Sequence, residues 1–367
     1  MSTLNETPNA NRIRIAFFGL RNAGKSTLVN AFTGQEIAIV SDVPGTTTDP
    51  VSKAMEILPL GPCLITDTAG LDDEGSLGEM RVKKTLGVLA TTDIAVWVGE
   101  GKTKEFADEC ARRNVAVIDF KRGESVEALK QKIAGIKTSD EPRPLLEGLV
   151  APGMRVLCIC PIDESAPKGR LILPQVQLLR ECLDNHATAV ICQPQEAEKE
   201  LATGSFDFAV VDSQAFALVK SVFAESNVPL TSFSILFARQ KGDLAQYAKG
   251  IEALGKLKDG DLVLVAEGCT HHRQCNDIGT VKLPKALRKL SGKDLKFEFA
   301  SGASFLEGKS KPALIVQCGG CMLTRREVLR RIGLAKEEGV PIANYGMVLA
   351  AAGGMRLKSG SVFVDVK

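Results

Sequence analysis

What this chain of 367 residues lacks narrows its chemistry first. It has no surplus of charge: 46 lysines and arginines stand against 44 aspartates and glutamates, a formal net of +2. No arginine-rich run is interleaved with aromatics either. That balance speaks against nucleic acid as the main partner, because phosphate backbones are held by concentrated positive charge. No uninterrupted apolar stretch reaches the roughly 18 residues of a membrane-spanning helix, so no membrane partner is expected. The opening MSTLNETPNANR lacks the basic start and apolar stretch of a secretory signal, and residues 1–11 are expected to form a short flexible tail on a cytoplasmic protein. In a reducing cytosol ten cysteines do not form a disulfide framework, and those near histidine or one another read as metal ligands.

What is there is globular. Hydrophobic residues at 44% and charged residues at 25% exclude disorder as the default, and the length suits two or three domains. Strand and helix patterns alternate almost throughout, which predicts an α/β fold with largely parallel sheets. The first series has strands at RIRIAFF (12–18), LITD (64–67), IAVWV (94–98) and VAVIDF (115–120), with helices over 25–33 and near 124–135. KTSDEPRP (137–144) is charged, proline-bearing and without apolar period, as a linker would be. A second series follows with MRVLCICPI (154–162), a helix over 171–183, ATAVICQ (187–193) and FDFAVVD (206–212). A third begins near PLTSFSILFA (229–238), with strands at 261–267, 295–300, 312–317 and 340–345. Three modules are therefore expected, with boundaries near 140 and 230.

Gly19-Leu20-Arg21-Asn22-Ala23-Gly24-Lys25-Ser26 satisfies G-x-x-x-x-G-K-S between a strand and a helix, with Thr27 next. Glycines let backbone N–H groups wrap phosphates, the helix N-terminus adds its positive end, Lys25 reaches the outer phosphates and the Ser26 hydroxyl can bind Mg²⁺. PGTTTD (44–49) supplies the Thr46 and Thr47 hydroxyls for a switch, and ITDTAG (65–70) sets Asp67 at a strand end with Gly70 behind it. These motifs resemble the translation-factor-like GTPases, in the branch with NAGKS, PGTTxD and DTAG. The resemblance implies GTP as ligand, Thr47 as the Mg²⁺ threonine, Asn22 as a K⁺ ligand in place of an arginine finger, and Glu79 as the residue that orients the attacking water. The guanine-reading N-K-x-D is missing, and its place is taken by NVAVIDFKRGESVEALKQKI (114–133).

The third module carries VLVAEGCTHHRQCND (263–277), with Cys269, His271, His272 and Cys275, and then C-G-G-C at 318–321. Both sets follow predicted strands, and in an open parallel sheet such loops face one edge. Thr324 and Glu327 form a capping-box pattern just beyond Cys321. Three chemistries use these residues: a structural zinc site, an iron–sulfur cluster, or a C-x-x-C redox pair. Cys63, Cys110, Cys158, Cys160, Cys182 and Cys192 read as small buried hydrophobes.

Taken together, APKGRLILPQVQ (166–177), DSQAF (212–216), PLTSFSILFARQKGDL (229–244), CTHH (269–272) and CGGCMLTRRE (318–327) resemble the HydF family of FeFe-hydrogenase maturation GTPases. The resemblance implies a P-loop GTPase domain over 12–140, a dimerisation domain over 145–230 and an iron–sulfur cluster domain over 231–367. It implies a 4Fe-4S cluster on Cys269, Cys318 and Cys321, His271 as a candidate fourth ligand, and a transient di-iron precursor as cargo. Radical-SAM maturases and apo FeFe-hydrogenase would be the partners, with a homodimer or dimer of dimers as the assembly. Gln317 stands where the family pattern often has a second histidine. The competing class is a ribosome- or RNA-associated GTPase with a structural zinc module.

Overall fold

The computed structural model describes residues 12–35, 51–57, 61–72, 75–121, 123–136, 143–162, 171–267, 278–301, 306, 310–320, 323–357 and 361–365. The expected tail (1–11) and most of the expected linker (137–142) lie outside the described residues. The chain divides into two compact units, Met1–Glu141 and Pro142–Lys367.

The first unit is built on strands β1 (Ile13–Phe18), β2 (Val51–Ile57), β3 (Gly61–Asp67), β4 (Ile94–Val98) and β5 (Ala116–Phe120), in the order β2-β3-β1-β4-β5. All neighbours are parallel except β2, which runs antiparallel to β3. Successive residues of a strand point to opposite faces, and here both faces are covered. Ile15 and Phe17 pack with Leu28, Val29 and Phe32 of the helix Lys25–Thr33 and with Leu129 and Ile133 of Val126–Ala134. Ala16 and Phe18 pack on the other side with Trp97, Phe106 and Cys110. This is why IAFF (15–18), after Arg14 near the strand's start, reads as an unbroken apolar run rather than an alternation.

The second unit holds two four-stranded parallel sheets. Strands β6 (Arg155–Ile159), β7 (Thr188–Cys192), β8 (Phe208–Val211) and β9 (Leu230–Ser232) are ordered β7-β6-β8-β9. Strands β10 (Leu262–Glu267), β11 (Lys296–Ser301), β12 (Leu314–Gln317) and β13 (Ile342–Asn344) are ordered β11-β10-β12-β13. One core joins the sheets, with Leu157, Ile159 and Val211 from the first and Ala266, Ile315 and Ile342 from the second. Within PLTSFSILFA, β9 completes the first of these sheets, and the Ser232 hydroxyl then caps the helix Phe233–Lys241 by accepting from the Ile235 N–H at 3.3 Å. That sheet therefore runs past the boundary expected near 230. A ribbon of β14 (Arg356–Leu357) and β15 (Val364–Asp365) returns to it, with the Thr231 hydroxyl donating to the Val362 carbonyl at 2.6 Å.

Cys63, Cys110, Cys158, Cys160 and Cys182 are buried and free, as expected of small apolar side chains, whereas Cys192, at the end of the edge strand β7, is only half-buried. Burial pushes the thiols of Cys63, Cys110 and Cys182 up to about 11 and that of Cys160 to about 12, so none is a thiolate at neutral pH. Among the described residues no helix is long and apolar enough to cross a membrane.

Candidate functional site

The phosphate loop leaves β1 at Gly19 and enters the helix Lys25–Thr33 through Gly24. Asn22 (φ 59°) and Gly24 (φ 84°) both adopt the left-handed conformation, which asparagine tolerates better than most residues and glycine adopts freely. Left-handed residues ahead of a helix turn consecutive N–H groups to one side, and with the helix's positive end they form an anion cradle. The Lys25 side chain, only 7% exposed, arches back over the loop and donates from Nζ to the carbonyls of Leu20 (2.8 Å) and Gly19 (3.3 Å). Asn22 and Thr27 are exposed at the loop surface.

Asp67 closes the site from the end of β3. It is fully buried, and its Oδ2 accepts a 2.6 Å hydrogen bond from the Ser26 hydroxyl. Its Oδ1 has no hydrogen-bond partner among the described residues. Burial raises the Asp67 carboxyl above the usual range, opposed by the Ser26 hydrogen bond, the Lys25 charge and the Thr68 main-chain N–H. A hydroxyl and a carboxylate with one unanswered oxygen, in a dry place, form a hard-oxygen donor pair that suits Mg²⁺. The segment after Asp67 clamps the loop: Leu71 N–H donates to the Gly19 carbonyl at 3.3 Å, and Arg21 N–H donates to the Asp72 carboxylate. A Cβ at Gly70 would lie 2.9 Å from the Arg21 nitrogen, so only glycine fits there without movement. The Thr68 hydroxyl donates to the Phe17 carbonyl at 2.7 Å and ties this segment to β1. Asp72 and Thr68 were not among the expected site residues; the acidic pair that follows DTAG in DTAGLDD was the available signal.

Thr46 and Thr47 lie outside the described residues. Glu79 falls in the helix Gly75–Val88, with its side chain outside the described part. In place of an N-K-x-D loop, β5 pairs with β4 in parallel from Ile94↔Ala116 to Val98↔Phe120, and the Lys102 ammonium pairs with Asp119.

In the second unit β10 and β12 are adjacent and parallel, registered as Ala266↔Gln317, so their C-terminal ends lie side by side. Cys318, partly exposed, leaves β12 with its N–H donating to the Ala266 carbonyl at 2.9 Å. The segment 268–277, with Cys269, His271, His272 and Cys275, lies outside the described residues, as does Cys321. Among the described residues no three His, Cys, Asp or Glu side chains converge on a metal position.

Around Cys318 the edge is lined by buried polar groups. Thr324 caps the helix Arg325–Glu337 by accepting from the Glu327 N–H at 3.3 Å. The Glu327 carboxylate binds Arg330 (2.7 Å) and Arg331 (2.9 Å). Arg331, 1% exposed, also reaches the Glu267 carbonyl at the end of β10, at 3.2 Å. Lys241, 6% exposed, donates to the carbonyls of Gly320 (3.1 Å) and Leu323 (3.0 Å). Gln317 is 1% exposed, and neither end of its amide has a partner among the described residues. Burial raises the phenol of Tyr247, with Cys318 adding to the rise and Arg331 opposing it.

Residues 14–143 match the model of the 50S ribosome-binding GTPase family, 145–242 that of the hydrogen maturase F dimerization domain, and 245–359 that of the hydrogen maturase F tetramerization domain. The tRNA modification GTPase MnmE of Zymomonas mobilis is 29% identical over 179 residues, covering 48% of this chain and 40% of that protein. GTPase Der of Xylella fastidiosa strain M23 is 39% identical over 137 residues, covering 35% and 28%. The chain thus spans well under two thirds of the length of these curated relatives. Era of Aquifex aeolicus bound to GDP and AlF4⁻ covers 80% of this chain and 95% of its own, at 15% identity and a TM-score of 0.26, a likeness too low to bear on the fold. With a GTPase domain followed directly by the two oligomerisation domains of one maturase, the chain belongs to the hydrogen maturase F family.

Proposed function

We propose that this protein is a GTP-hydrolysing scaffold that carries a 4Fe-4S cluster and hands a di-iron precursor to apo FeFe-hydrogenase. The observation that carries this reading is the shared edge of β10 and β12. Cys318 leaves one strand end, and the chain toward Cys269 and His271 leaves the neighbouring one. The family models over 145–359 support the same assignment and a homo-oligomeric assembly.

In this reading Cys269, Cys318 and Cys321 hold the cluster. Gln317 is a buried neutral amide and a poor iron ligand, which leaves His271, His272, Cys275 or an exchangeable outside ligand for the fourth position. When bound, the cluster supplies an iron to which a precursor can attach and from which it can leave; a closed zinc site offers no such position. Precursor made by radical-SAM maturases would be received at this edge and passed on in the cytoplasm.

At the other site Lys25 would neutralise the outer phosphates, Ser26, Asp67 and Thr47 would hold Mg²⁺, and Asn22 would hold K⁺, the two cations supplying positive charge to the phosphates. The backbone at Gly70 meets the γ-phosphate and Glu79 orients water. GTP turnover then times partner binding.

Metal content tests the reading. Anaerobically purified protein is expected to be brown and to contain iron and sulfide. A colourless protein with one zinc per chain, unchanged by anaerobic reconstitution, overturns it in favour of a ribosome- or RNA-associated GTPase with a structural zinc module.

A further inference from the structure

The C-G-G-C turn is held from outside its own module. The Gly320 carbonyl accepts from the Leu323 N–H at 3.0 Å, which closes the turn, and also from Lys241 Nζ at 3.1 Å. Lys241 lies in the last turn of Phe233–Lys241, the helix that follows β9 of the other sheet, within the span matched by the dimerization domain. The contact is answered in the other direction, since Arg325, the first residue of the helix after the turn, donates from Nη1 to the Gln240 carbonyl at 2.9 Å. Gly320 itself has φ 67°, and a Cβ there would press on Val328 Cγ2 at 3.1 Å. Its carbonyl direction is therefore set by a conformation that few other residues adopt.

A lysine 6% exposed keeps its charge only where acceptors replace water. Lys241 has two main-chain carbonyls from the turn, with the face of Phe237 5.6 Å away. Both of these acceptors are neutral main-chain oxygens. Gly320, whose carbonyl receives the ammonium, lies between Cys318 and Cys321 in the sequence, so the charge is held at the cysteine turn in a buried setting where it acts strongly.

We propose that Lys241 is a positioning residue for the cysteine site, an ammonium from the dimerization module that fixes the turn before any metal arrives and biases the site toward an anionic iron–sulfur group. The clamp stands on the hydrogen bonds themselves; the bias toward a cluster rests on the function proposed above. It also gives a physical link between dimerization module and cluster loop, since the turn is ordered by a helix of the neighbouring sheet.

The test uses the full-length chain with Lys241→Met and Lys241→Arg. In metal-free protein, hydrogen–deuterium exchange of peptides across 314–326 is expected to speed up on the order of tenfold in Lys241→Met, as loss of charged hydrogen bonds implies, with the β6 and β8 peptides unchanged. After anaerobic reconstitution with ferrous iron and sulfide, Lys241→Met is expected to hold less iron and to show a more negative cluster midpoint potential, because a fixed positive charge favours the reduced form. Lys241→Arg keeps the potential of the parent protein. Should the methionine variant fail to fold, Lys241→Gln supplies the neutral comparison. Unchanged exchange at 314–326 with a normally iron-loaded parent refutes the clamp and leaves the scaffold reading intact. Faster exchange with a parent that takes up no iron does the reverse. An unaltered potential in the neutral variants removes the electrostatic role.

Discussion

Asp67 makes a prediction with an unusual sign. Its carboxylate is fully buried, one oxygen is satisfied by Ser26, and the other has no partner among the described residues. Without a cation such a group costs stability, and Asp67→Asn replaces an orphan charged oxygen with an orphan neutral amide while an amide oxygen still accepts from Ser26. The gain should be about 1–2 kcal/mol for metal-free protein. For a domain of this size that is roughly 3–10 °C in Tm. The assay is built in, because Trp97 is the single tryptophan, 1% exposed, on β4 of the first unit, so its fluorescence follows this unit alone. The pH dependence has a defined direction. Burial raises the folded carboxyl above its ordinary 3.8, so the native state holds the proton longer than the unfolded chain. The penalty on the parent protein is therefore present at neutral pH and relieved as pH falls through the folded value, where the two Tm values should converge. Adding Mg²⁺ and GDP reverses the order, since binding stabilises only the protein that can hold the ion. If Asp67→Asn lowers the Tm of magnesium-free protein at neutral pH, the carboxylate is a structural element and the reasoning fails.

Other consequences follow from the same site. GTP hydrolysis should run faster in potassium than in sodium and be lost in Lys25→Ala; equal rates in the two salts would remove the role given to Asn22. Gly70→Ala should reduce hydrolysis by tenfold or more, on the order of what misplacing a loop by an ångström costs, because its Cβ meets the Arg21 backbone at 2.9 Å; the Trp97 transition should persist. Glu109 is held down to about 2 chiefly by its hydrogen bond to Arg112, with Arg113 adding to it, so its contribution is present above the ordinary 4.5 and lost as pH falls toward about 2. Glu109→Gln should cost about 0.5–1 kcal/mol at pH 7, read as a fall in the Trp97 midpoint, with the difference from the parent nearly gone at pH 2.

The parallel strands were legible because both faces of their sheets are covered, which makes IAFF, IAVWV and LVLVA continuous apolar runs. The antiparallel β2 was not. Val51–Ile57 is exposed over its first four residues at the sheet's edge, and VSKAMEI has no apolar run to betray it. The phosphate loop was readable from its spacing between a strand and a helix, and the left-handed Asn22 and Gly24 ahead of the helix fit the turn that spacing requires. The Asp72 carboxylate on the loop depends on folding across 51 positions, which spacing alone does not encode. Lys241 was hidden for a stronger version of the same reason. It lies 79 positions before Gly320, in a different sheet, at the polar end of an apolar helix where a solvated lysine would be the ordinary reading. The Thr324–Glu327 pair shows the limit from the other side. The hydroxyl caps the helix as its spacing predicts, and the carboxylate turns to Arg330 and Arg331, partners that the four-residue motif does not contain.

Electron paramagnetic resonance of reduced, anaerobically reconstituted protein and its variants probes a cluster carried on three cysteines at the β10–β12 edge. A 4Fe-4S signal is expected in the parent, lost in each of Cys269→Ala, Cys318→Ala and Cys321→Ala, and altered rather than absent in His271→Ala. A parent protein with no such signal, or a Cys318→Ala variant that keeps it unchanged, would rule the three-cysteine cluster out.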